Sequence, residues 1–244
     1  SNDITYQHFT KGQQFEYITA DQIDKLNLNT DLSWRRSNHE AYISHQYFGQ
    51  KDKGATRLSS GTVIYTNATA IDRSQLTLTH SWKIKETSSV HQTIRKANYI
   101  REYEVKNNDG QTEKNDITQE DNTEYELLFS HQRNNITLNG GLEFSRPKYK
   151  SDRITGGKQE KDVAGIFNQL AWRLLPNLEI VSGLRLDKYG DTTVVSPRLA
   201  LAYKPSDQWT YRTAYGHGFR APSFMESLID WEHIQFGYTV KGNP

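Results

Sequence analysis

The stretch "SPRLALAYKPSDQWTYRTAYGH", residues 196–217, decides the fold. In its first half Pro197, Leu199, Leu201 and Tyr203 fall on one side of a two-residue repeat. Ser196, Arg198, Ala200, Ala202 and Lys204 fall on the other. That is the period of a half-buried strand, because successive side chains of an extended backbone point to opposite faces. Pro205-Ser206-Asp207-Gln208 then interrupts the run with turn residues, and a weaker alternation resumes over 209–217. Two strands joined by a tight turn make a β-hairpin.

The same period recurs upstream, and a helical period does not. Leu26, Leu28, Thr30, Leu32 and Trp34 share one face of 25–35. Leu178, Ile180, Ser182, Leu184 and Leu186 share one face of 178–187, opposite Arg185. Ile136, Leu138, Gly140, Leu142 and Phe144 do so in 136–144. Weaker runs cover 41–48, 62–71, 76–84, 123–131 and 163–174, which gives about ten strands. Short turns are expected at 36–40, 72–75, 132–135, 175–177 and 205–208, with long polar connections at 49–61, 86–122, 145–162 and 188–195. Strict alternation of short and long connections places all short turns at one end of a meander. Transmembrane barrels of the outer-membrane type have this layout.

Aromatic placement separates a barrel from a soluble β-sandwich, which also alternates. Trp34, Trp172 and Trp209 lie within a few residues of short turns, with Tyr203 and Tyr211 at the same end. Trp82 is expected at the opposite edge of an apolar band about 25 Å tall, in a second aromatic girdle. Arg185 is expected to face a wet lumen, since a midplane Arg against lipid costs about 2–4 kcal/mol. The expectation is an all-β, antiparallel up-and-down meander of about ten strands, part of a larger transmembrane β-barrel.

Composition narrows the function. Apolar residues make up 34% of the 244 and mean hydropathy is −0.83, while 14 Tyr, 9 Phe and 5 Trp argue against disorder. A net charge of +1 offers no pull toward nucleic acid, and the absence of Cys removes disulfides and thiolate metal sites. The chain opens Ser1-Asn2, and an export signal is expected to have been removed.

The last fifty or so residues carry a resemblance. Ser196-Pro197-Arg198, Tyr203-Lys204-Pro205, Tyr215-Gly216, Phe219-Arg220-Ala221-Pro222-Ser223 and Gly242-Asn243-Pro244 strongly resemble successive elements of the TonB-dependent outer-membrane receptors. The resemblance implies one partial barrel domain over 1–244, with neither a plug nor a TonB-binding box. Its parent would be a transporter of the bacterial outer membrane, not an enzyme. It would take up a scarce nutrient complex, with a ferric siderophore or haem leading. The implied partners are an extracellular ligand, outer-membrane lipid and the TonB complex acting through the absent plug. No resident cofactor and no nucleic acid are implied.

Candidate ligand contacts are His217, Arg220, Trp231, His233 and Tyr238, and the motif around Arg220 reads first as shaping its loop and second as touching ligand. His233 would hold a metal only as a ligand to haem iron. Gly216 and Gly218 permit a bend where the strand ends, and Pro222 forbids further ladder pairing. Glu124 and Glu126 share a face and read as solvated wall residues. No nucleophile elbow or phosphate loop is present. The competing readings are a passive porin or adhesin barrel, an outer-membrane enzyme and a soluble β-sandwich.

Overall fold

The computed structural model describes residues 2–10, 18–233 and 237–243, and only the backbone at 2, 9, 10, 18–21 and 233. The strands are β1 (Asn2–Thr10), β2 (Ile18–Arg36), β3 (His39–Arg57), β4 (Val63–Lys85), β5 (Ser88–Asn107) and β6 (Thr112–Arg133). They continue as β7 (Ile136–Ser151), β8 (Lys158–Glu160), β9 (Val163–Leu175), β10 (Leu178–Tyr189), β11 (Thr192–Ser206) and β12 (Trp209–Gly216). All twelve form one sheet in chain order, with β8 attached to β7 beside β9. Every pairing in it is antiparallel. The expected meander is present.

Register carries the two-residue pattern across neighbouring strands. Leu127, Leu142, Ile166, Leu186 and Val195 are successive partners on β6, β7, β9, β10 and β11. The adjacent row on the other face is Glu126, Glu143, Gly165 and Asp187. One face is therefore apolar and the other polar, and a one-residue slip would exchange them. Nothing covers the apolar face among the described residues. Leu184 and Leu199 stay 42% and 54% exposed, and the buried apolar residues are Ala55, Tyr103, Val105, Tyr149 and Ile154 alone. A β-sandwich buries such a face against a second sheet. That reading is excluded. Arg185 lies on the polar face, as expected, between Phe167 and Ser196.

The first four short turns are each tied to the hairpin beyond. The carbonyls of Asn38, Thr87, Asn135 and Asn177 accept from the amides of Lys83, Gln132, Arg173 and Lys204 at 2.8 Å. The Asn38 and Asn135 side-chain amides reach the same neighbours, donating to the Lys83 and Arg173 carbonyls. This lacing keeps the rim even. Above it, the apolar run of β7 from Ile136 to Phe144 spans roughly 27 Å at about 3.4 Å per residue, comparable to a barrel's apolar band.

The connections differ from expectation. Asp72-Arg73-Ser74-Gln75 is no turn but the middle of β4, paired with Gly49, Phe48, Tyr47 and Gln46. The polar run 86–122 is a hairpin, β5 and β6, turning at 108–111. Similarly, 49–57 continues β3, 145–151 continues β7, and the stretch 188–195 closes on a tight turn at 190–191. Polarity misled because these strands rise past the apolar band, where lipid no longer demands an apolar face. Trp82 is also corrected. It pairs with His39 beside the turn at 37–38 and stacks on that imidazole at 5.7 Å, so it belongs to the same girdle as Trp34.

Candidate functional site

β12 stops at Gly216, and the chain then crosses the end of the wall opposite the short turns. A short helix, α1 (Phe224–Leu228), starts on a capping box in which Ser223 and Glu226 exchange side-chain-to-backbone bonds. Arg220 donates to Glu226 at 2.5 Å, and with the Ser223 amide it holds that carboxyl down at about 2. A hairpin of β13 (Asp230–His233) and β14 (Tyr238–Lys241) follows. Gly242 closes the segment, donating to the Ile229 carbonyl at 2.6 Å. A Cβ there would lie 2.5 Å from the Ser227 carbonyl carbon, so only glycine fits.

This strap is fastened to the turn between β7 and β8. Thr155 donates to the Leu228 carbonyl, Asp230 donates to that of Arg153, and Ile154 forms a bridge with Ile229. Beneath lies a buried charged cluster. Asp116, 1% exposed, accepts two bonds from the Arg153 guanidinium at 2.8 and 2.9 Å and a longer one from Arg101 at 3.4 Å. Arg153 also sits 4.2 Å from the Trp231 ring and 5.4 Å from Tyr103, with Arg101 4.8 Å from Tyr103 and Lys114 4.6 Å from Trp231. Cations and rings thus alternate in one stack, from Arg101 on the wall to Trp231 on the strap. Each desolvated pair adds on the order of 1–2 kcal/mol. Lys114 completes the fastening by donating to the Glu232 carbonyl at 2.7 Å.

Lower on the polar face a cavity of about 270 Å³ is lined by Arg95, Glu124, Glu126, Glu143 and Arg185, among others. Arg185 bridges Glu143 at 2.6 Å and Asp187 at 2.9 Å, and Arg95 pairs with Glu124. Glu124 and Glu126 do share the polar face.

The candidate contacts scatter. His217 and the Tyr215 hydroxyl share a hydrogen bond at 2.8 Å, and Arg220 pairs within its own loop. Phe219 meets the edge of Tyr189, whose hydroxyl donates to the Pro222 carbonyl. Ala221 lies between them. Trp231 alone reaches the wall cluster. Tyr238 opens β14 and is 51% exposed, and Asn243 donates to the Glu226 carbonyl. The His233 side chain and Pro244 lie outside the described residues. Asp116, Arg153, Arg101 and Lys114 were missed because they occupy 86–122 and 145–162, segments that read as loops.

A one-layer sheet, greasy outside and wet inside, with an aromatic girdle at its short-turn rim, is the wall of a membrane-spanning β-barrel. The chain belongs to the TonB dependent receptor-like β-barrel family, whose sequence profile matches residues 4–244. Membership places it in the bacterial outer membrane. It is 32% identical over 81 residues to the iron-regulated outer membrane virulence protein of Vibrio cholerae, covering 32% of this chain and 12% of that one. The siderophore receptor PirA from Pseudomonas aeruginosa superposes with a TM-score of 0.67 at 14% identity, over 89% of this chain and 39% of that one. The copper transporter OprC superposes equally, at 0.67 and 15% identity, over 93% and 41%. This chain therefore spans about two fifths of each of those structures.

Proposed function

We propose that this wall belongs to a transporter that imports a ferric siderophore across the outer membrane. Energy reaches it from the TonB complex through a plug encoded outside residues 1–244. The extracellular end is the strapped end, where ligand arrives. Fold alone does not choose the cargo, as the copper transporter with the same fold makes plain. Iron is favoured by the name of the Vibrio relative and by the siderophore receptor among the similar structures. The observation that carries the choice of cargo is the charge at the mouth. Arg101, Arg153 and Lys114 gather around the carboxylate of Asp116, with that of Glu232 on the Lys114 side, between Tyr103 and Trp231. Three cations against two carboxylates leave one positive charge over at this end of the wall, which suits an anionic chelate.

The test is growth of an iron-starved strain that carries the full-length receptor as its only iron importer. Ferric siderophores should rescue growth, and deletion of TonB should abolish the rescue. Rescue without TonB would make this a passive pore, and rescue by haem alone would overturn the cargo.

A further inference from the structure

On the membrane-facing side of β7 the residue type changes abruptly. Leu138, Leu142 and Phe144 are followed on the same face by Arg146, Lys148 and Lys150, all exposed. The change falls at the top of the apolar band, where acyl chains give way to headgroups. Beside them β8 supplies Glu160, which takes Lys148 at 3.2 Å, and the link from β8 to β9 supplies Asp162, which takes the Arg146 fork at 2.6 and 3.2 Å. One step higher the pairing fails: Lys150 stands directly opposite Lys158. Neither ammonium has a carboxylate within ion-pair distance among the described residues. Like charges directly opposite each other are unfavourable in a sheet, so an anion between them would relieve the wall. The same face of β3 shows the contrast, since Lys51 there stands opposite Asp24.

We propose that the Arg146–Lys148–Lys150–Lys158 patch binds the phosphate groups of outer-leaflet lipid headgroups. The patch is continuous with the lipid-facing surface below it and complementary to phosphate in charge. Two lysines facing each other bracket one phosphate, while Phe144 beneath packs against the start of the acyl chains. The assignment rests on the membrane-facing reading of this surface, not on the identity of the cargo.

The experiment uses the full-length receptor in neutral detergent, titrated with a bis-phosphorylated glycolipid and read by native mass spectrometry. A Lys150→Gln/Lys158→Gln variant should bind roughly fivefold more weakly for each lysine removed, about twenty-five-fold in all. Lys51→Gln/Lys53→Gln should bind as the parent does. The phosphate-free glycolipid should bind neither protein, and without lipid the first variant should be no less stable than the parent. Equal affinity in both variants, equal binding of the phosphate-free lipid, or displacement by equimolar inorganic phosphate would each overturn the proposal. Should the first variant fold poorly, a salt titration of the unmodified receptor decides the matter. Affinity that stays constant as salt rises would overturn the assignment.

Discussion

At the height of Leu199 the wall is one layer thick, and at the height of Asp116 it is two. In the lower region apolar side chains remain exposed on the protein and polar ones line the other face. In the upper region the strap lies against the wall, and a carboxylate, Asp116, is among the most deeply buried side chains described. Both regions are built from the same antiparallel ladder with the same two-residue period. What differs is the cover: lipid in one, a returning segment of chain in the other. Whether a polar residue is buried is set by what lies over the strand, not by the strand's own pattern.

The largest effect should come from removing the centre of the upper region. Asp116→Ala would leave Arg153 and Arg101 buried without their carboxylate, a loss of about 3–5 kcal/mol. Hydrogen exchange should show β13 and β14 opening while the ladder of β9–β12 keeps its protection. Equal loss in both would mean that the strap and the wall are one cooperative unit, and the contrast would fall. Next is a paired substitution in the lower region. Leu199→Arg places a charge in lipid and should lower barrel stability by about 2–4 kcal/mol. Ala200→Arg, one residue on and facing the polar side, should change it little. Refolding titrations into lipid vesicles measure both, and similar losses would refute the assignment of faces.

A smaller effect tests packing on the polar face. A Cβ at Gly141 would lie 2.5 Å from the Phe167 ring and 2.8 Å from the Leu127 carbonyl oxygen. Gly141→Ala should therefore destabilise by about 1–3 kcal/mol, visible in the same titrations. The smallest belongs to the strap. Ser223→Ala removes the helix cap and should loosen α1 by about 1 kcal/mol, measured as faster exchange at Glu226 and Ser227. The Glu226 carboxyl sits at about 2 in the folded strap, below its ordinary 4.5. Its contribution is thus complete above pH 4.5 and is lost as pH falls toward 2. Exchange at α1 should accelerate through that window in the parent and not in Glu226→Gln.

Legibility followed the same division. Leu184 and Leu199 declared their face because lipid asks for one thing at every second residue. Asp72 and Gln75 looked like a turn because, above the band, no apolar partner is demanded of either face. Trp82 was assigned to the wrong girdle as a consequence, since the false turn reversed the direction of its strand. The strap's motif was conspicuous, yet the wall residues that receive it were not.

By itself, then, the sequence determined the strand period, the apolar face, the antiparallel meander as a class and the motif after β12. These are local, set by neighbours one or two residues away and by the turn chemistry between strands. Only the tertiary structure decided that Asp116 meets Arg153, that Lys114 reaches Glu232 across 118 residues, and that Lys150 faces Lys158. Such pairs follow from register and from chain return. No window along a single strand contains both partners.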